Sequence, residues 1–199
     1  IYINHQGQII NQTKKTNLWL SERSDYAPSN NPPRCFKSTL GKTLLIICWD
    51  IMDHKLFEIA IKQGARWVII ISLWSINQSS DLVKERGKPL KMYPNNIDSK
   101  IIDSLINSRV NEYNIGIIFC NFAKTLRYQG KYTLSDIAIS AGHTQIVSPL
   151  FQILKKINSR KEGILIHDIP DIKELIRDHE IFYGRREDIH IITKKSAIL

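Results

Sequence analysis

Residues 43–72 constrain the fold more than any other part of the chain. Thr43-Leu44-Leu45-Ile46-Ile47 is an apolar, β-branched run of strand length that leads into Cys48-Trp49-Asp50. A helix-length segment follows to Gln63, with Leu56, Phe57, Ile59, Ala60 and Ile61 forming an apolar stripe and Gly64 as its stop. Arg66 to Leu73 is a second β-rich run. Strand, helix and strand in that order predict an α/β protein with parallel pairing, and the near-continuous apolar character predicts strands covered on both faces. In such sheets ligands collect at the carboxyl ends of the strands. Cys48 stands at that end, with the following helix expected to aim its first amides at the sulfur.

The rest of the chain reads as follows. Asn4-His5-Gln6-Gly7-Gln8 between apolar pairs is hairpin chemistry. Three prolines within 25–34 predict an irregular loop, and Phe36 to Leu40 a short strand. Gly41-Lys42-Thr43 is not a phosphate loop, because Phe36 stands where that motif needs glycine and a strand follows instead of a helix. Residues 75–96 form a long polar excursion. Asp98 to Tyr113 is a helix with Asp98 as N-cap and Ile101, Ile102, Leu105, Ile106 and Val110 on one face. Ile115 to Cys120 is a buried strand, 124–140 a second polar loop, and 142–149 a strand ending at Pro149. Phe151 to Leu154 and Gly163 to Ile169 are expected to pair around a basic turn. Pro170 opens a short helix over 171–179.

The net charge of +9 is spread over separated pairs such as Lys14-Lys15 and Arg185-Arg186. Nucleic-acid binders usually cluster their positive charge on one face, so a solvated surface is the simpler reading and no nucleic-acid partner is expected. No apolar run of about 18 residues is present, so no membrane partner is expected. Three cysteines, none at CxxC spacing, argue against a disulfide framework or a zinc site and for a reducing, cytoplasmic location. Ile1-Tyr2-Ile3 reads as the middle of a strand, which suggests a natural chain that begins earlier.

A cysteine at a strand end is more often inert core than nucleophile, and a single lysine is more often solvated than catalytic. Four stretches taken together alter that balance. Ile47-Cys48-Trp49-Asp50, followed by a helix and Gly64-Ala65, resembles the nucleophile motif of the carbon–nitrogen hydrolases, the nitrilase superfamily. Asn4 to Leu18 resembles the hairpin that leads into that family's catalytic-lysine motif, with Lys15 at the lysine position. Asn111-Glu112-Tyr113 with Ile117 to Asn121, and Gly142 to Pro149, resemble two later segments in the same order. The likeness covers roughly residues 1–170 and is nearest to fungal members.

The resemblance implies an α-β-β-α sandwich, incomplete because an N-terminal part is missing. It implies a hydrolase domain over 1–180, its C-terminal two-thirds or so, followed by a basic tail over 181–199. Cys48 would attack an amide, nitrile or carbamoyl carbon and form a thioester. Lys15 and the backbone N–H of Trp49 would face the developing negative charge. Glu22 resembles a second, supporting glutamate that orients Lys15 or substrate. The general-base glutamate belongs upstream of the lysine, and residues 1–14 contain no Asp or Glu, so this stretch by itself is expected to be inactive. No cofactor or metal is implied, the partner is a small-molecule amide or nitrile, and a homodimer is expected. The chain departs from the family pattern at His54, at Ser29-Asn30-Asn31 and at Tyr113. A non-catalytic truncated relative, acting as a structural or binding protein, is the alternative. His54, six residues after Cys48, offers a Cys–His pairing that its position on the helix's first turn argues against.

Overall fold

The computed structural model describes residues 1–76, 96–127, 137–149, 152–169 and 177. A hairpin of β1 (Tyr2–Ile3) and β2 (Ile9–Asn11) comes first. Asn4 closes it, its Oδ1 accepting from the amides of Gln6 and Gln8, while Gly7 takes φ +78°. Then come β3 (Phe36–Ser38), β4 (Gly41–Ile47), α1 (His54–Lys62), β5 (Trp67–Ser72), α2 (Ile97–Tyr113), β6 (Gly116–Asn121), β7 (Thr125–Arg127), β8 (Ile137–Ile139), β9 (Gln145–Ser148) and β10 (Gln152–Lys156).

The central sheet has six strands in the order β10-β9-β6-β5-β4-β3. β4, β5 and β6 run parallel, with Leu44 beside Val68 and Val68 beside Ile117; β3, β9 and β10 are antiparallel additions at the two edges. Gly41 and Lys42 thus lie inside a strand, as the rejection of a phosphate loop requires. The pleat sends Leu44, Ile46, Val68, Ile70, Ile117 and Phe119 to one face, where they pack with Leu56, Phe57 and Ala60 of α1 and Ile102, Ile106 and Val110 of α2. The other face carries Leu45, Trp67 and Ile146, against which Leu165 and Ile169 lie. The Trp67 ring needs the bare backbone of Gly116 beside it: a β-carbon there would sit 2.5 Å from the indole.

α1 ends as the sequence predicts. The Gly64 amide donates to Ile61 O and the Ala65 amide to Ala60 O, both at 2.8 Å, with Gly64 at φ +77°. Other expectations are corrected. The α-helix after Cys48 begins only at His54, because residues 48–52 form a 3-10 turn and Asp53 caps α1 through the Lys55 amide. The N-cap of α2 is Asn96, so Asp98 lies in the first turn and accepts from Trp74 Nε1 at 3.4 Å. Ile101 of the predicted apolar stripe is half-exposed.

The strand expected over 142–149 is shorter, since Gly142 and His143 both take positive φ and cannot extend it. The strand expected over 151–154 is β10, and it pairs with β9 rather than with 163–169, where Ile164 and Ile166 project into solvent. Of the apolar residues in this stretch Leu165 and Ile169 pack on the sheet without pairing to it. The loop expected over 124–140 contains the β7–β8 hairpin. Of the expected helix over 171–179 only Arg177 is described, as helical; the basic tail lies outside the described residues, as does most of the 75–96 excursion. Among the described residues no helix is long and apolar enough to cross a membrane.

Candidate active site

The carboxyl ends of the three parallel strands lie side by side, so that Ile47-Cys48, Ser72 to Trp74 and Asn121 share one edge of the sheet. Cys48 leaves β4 with φ +49°, the left-handed region that a side chain with a β-carbon seldom adopts. Such a conformation costs on the order of 1–2 kcal/mol and persists only where its surroundings fix it. The thiol is half-buried against the core.

Asp50 fixes the turn. Its carboxylate is almost fully buried, and Oδ2 accepts from the Ile47 amide at 3.0 Å. Oδ1 accepts from the Thr16 and Asn17 amides at 3.0 and 2.7 Å. One carboxylate thus joins the loop that carries Lys15 to the turn that carries Cys48. Burial raises the affinity of Asp50 for a proton, against the pull of the Asn17, Ile47 and Thr16 amides and the Lys15 charge. The Asn17 side chain donates to Asp53 Oδ2 at 3.3 Å, and Lys15 O accepts from the Ser29 amide at 2.8 Å.

Lys15 is mostly buried and holds Glu22, its Nζ donating to Oε1 at 2.7 Å and to Oε2 at 2.5 Å. Glu22 Oε2 also accepts from the Trp19 amide at 2.7 Å, which anchors the carboxylate by its own loop. Three indoles lie in sequence beside this loop, Trp19 against Trp49 at 4.2 Å between ring centroids and Trp49 against Trp74 at 5.3 Å. Trp49 therefore places its side chain in an aromatic row, while its amide directly follows the left-handed residue.

Two further residues brace the edge. The Arg109 guanidinium donates to Ile51 O and Met52 O at 3.3 and 3.1 Å, lies over the Phe57 ring, and pairs with Glu112. Asn121 takes its amide from the end of β6 into a buried junction. It accepts from the Trp74 and Phe122 amides and donates to Trp74 O and Gly142 O.

Sequence reasoning brought Lys15, Glu22, Cys48 and Trp49 forward, and the structure gathers their segments at one edge. His54 is exposed on the first turn of α1, which leaves the Cys–His pairing without support. Asp50 and Arg109 were missed as braces. The signal for Asp50 was a carboxylate immediately after a buried strand, which burial obliges to find donors. Among the described residues no group of three or more His, Cys, Asp or Glu side chains could hold a metal ion.

No family model matches the chain. It is 23% identical over 189 residues to a probable nitrilase of Schizosaccharomyces pombe, spanning 94% of this chain and 58% of that protein. Among solved structures it resembles Nit3 of Saccharomyces cerevisiae, a member of the nitrilase superfamily, with a TM-score of 0.64 and 19% identity over 90% of this chain and 55% of that one. It resembles the carbon–nitrogen hydrolase of Helicobacter pylori with a TM-score of 0.70 and 19% identity, over 94% of this chain and 61% of that one. The chain thus spans little more than half the length of the proteins it matches. Two of them are fungal, in line with the nearest likeness read from the sequence. With a cysteine at the end of its first parallel strand and a lysine loop clamped onto that end, the chain carries the fold of the nitrilase, or carbon–nitrogen hydrolase, superfamily.

Proposed function

We propose that the protein is a hydrolase of non-peptide carbon–nitrogen bonds in small amides or nitriles, with Cys48 as nucleophile. The observation that carries this reading is the union of the Lys15 loop with the Cys48 turn through one buried carboxylate. The Cys48 sulfur attacks the amide or nitrile carbon. The ammonium of Lys15 and the N–H of Trp49 stabilise the negative charge that develops on the attacked group. With an amide, the thiol proton passes to the departing nitrogen, and loss of ammonia or an amine leaves a thioester. With a nitrile, the addition gives a thioimidate, which takes up one water and loses ammonia to reach the same thioester. A further water hydrolyses the thioester to the acid and free thiol. Glu22 holds the Lys15 ammonium in place. A structural neighbour, an amidase from Nesterenkonia, has been captured with the acetamide moiety of fluoroacetamide added covalently to its active-site cysteine, which supports the same role for Cys48.

The reading extends to a homodimer in the cytoplasm, a setting that suits three free thiols. It takes residues 1–180 as the hydrolase domain. Ammonia release from a panel of amides and nitriles is measured for the protein and for Cys48→Ala. Turnover that disappears in the variant supports the reading, and equal rates in the two refute it.

One observation favours a second reading. The Glu22 carboxylate is committed to Lys15 and to the Trp19 amide, so it is not free to take the thiol proton. In that reading the chain is a catalytically silent relative that binds amides without hydrolysing them. Saturable binding of acrylamide with no ammonia release distinguishes it.

A further inference from the structure

We propose that Asp50 is the positioning residue that holds the Lys15 loop in register with Cys48. This rests on the hydrolase reading for the role of the pair; the clamp itself rests on geometry. Three backbone N–H groups from two segments about thirty residues apart in sequence converge on one buried carboxylate, two on Oδ1 and one on Oδ2. A carboxylate is the side chain suited to that set, because both of its oxygens only accept. Asparagine accepts at one oxygen and would set its NH₂ against either the Ile47 amide or the pair from Thr16 and Asn17. The Ile47 bond lies immediately before the left-handed Cys48, so the same carboxylate that captures the lysine loop also sets the direction in which the thiol leaves the strand.

The test reads the charge beside Cys48 without requiring turnover. In a Cys35→Ser/Cys120→Ser background Cys48 is the single thiol. Its alkylation rates by anionic iodoacetate and neutral iodoacetamide are measured by mass spectrometry, and their ratio reports the local positive charge. Lys15→Met sets the ratio without the ammonium, expected to be lower by about threefold or more. Asp50→Asn is expected to lower the ratio by about twofold or more, because the lysine loop leaves its register.

The sign is diagnostic. Removing a negative charge with no movement of Lys15 raises the ratio, and general loosening speeds both reagents alike; either result overturns the inference. If Asp50→Asn fails while Lys15→Met behaves as expected, the hydrolase reading survives without Asp50 as its positioning residue. If Lys15→Met leaves the ratio unchanged, the lysine does not face the thiol, and the pair and the inference fall together. Should Asp50→Asn not fold, the amide protons of Thr16, Asn17 and Ile47 in the wild-type chain decide. They are expected to titrate with the midpoint of the Asp50 carboxyl carbon, and three independent midpoints overturn the clamp.

Discussion

Asn121 gives the sharpest quantitative expectation. Its buried amide joins the end of β6 to Trp74 beyond β5 and to Gly142 ahead of β9. Truncation to alanine leaves the Trp74 N–H and the Gly142 carbonyl without their partner. Trp74 O keeps its bond from the Ala141 amide and the Phe122 amide keeps Ser72 O, so those two are not orphaned. Two orphaned backbone groups at about 1–3 kcal/mol each give about 2–6 kcal/mol, and water entering at a strand end lowers the expectation to about 2–4 kcal/mol. With a urea slope of about 2 kcal/mol per molar, the unfolding midpoint falls by about 1–2 M. Asn121→Leu, which fills similar volume without the polar atoms, is expected to cost as much as alanine. If leucine costs under about 1 kcal/mol while alanine costs several, packing and not hydrogen bonding holds this junction, and the reasoning is refuted.

Gly116→Ala forces a β-carbon to within 2.5 Å of the Trp67 ring and is expected to lose about 1–3 kcal/mol, seen as a lower melting temperature that Trp67→Leu in the same chain partly restores. Burial alone would raise the Asp103 carboxyl, but hydrogen bonds from Lys156, His143 and Gln145 outweigh it and hold the group below its ordinary 3.8. The stability it contributes is therefore present above about pH 4 and is lost as pH falls through the lowered value. Asp103→Asn should flatten that acid limb in urea titrations. Burial pushes the Cys35 thiol up to about 11 against the pull of Lys42, so its contribution is full below 9.0 and is lost as pH rises through about 11. Cys35→Ser should remove that alkaline decline; an unchanged slope would place it in another group.

The parallel core was legible because its strands are nearly pure β-branched and apolar, and because Gly64 can take a backbone angle that other residues avoid. The same reasoning failed where local pattern and long-range pairing separate. Residues 163–169 are expected to pair with 151–154, yet β10 pairs with β9 and its outer edge takes no strand from 163–169, whose Ile164 and Ile166 stand in solvent. Helix boundaries also shifted. The helix after Cys48 starts at His54 with Asp53 as its cap, while the Asp50 carboxylate is drawn inward by the amides of residues 16, 17 and 47.

By itself the sequence determined the α/β class, the strand that carries Cys48, the helix stops, and the likeness that joins Lys15, Glu22 and Cys48 in one chemistry. Only the tertiary structure decided how those residues are held. The hold of Asp50 on the Lys15 loop, the Arg109 brace and the Asn121 junction all depend on donors and acceptors that lie twenty or more residues apart. Local periodicity carries information about which face of an element is buried. It carries none about which distant amide will satisfy a buried carboxylate, because that choice is made only when the chain has closed around it.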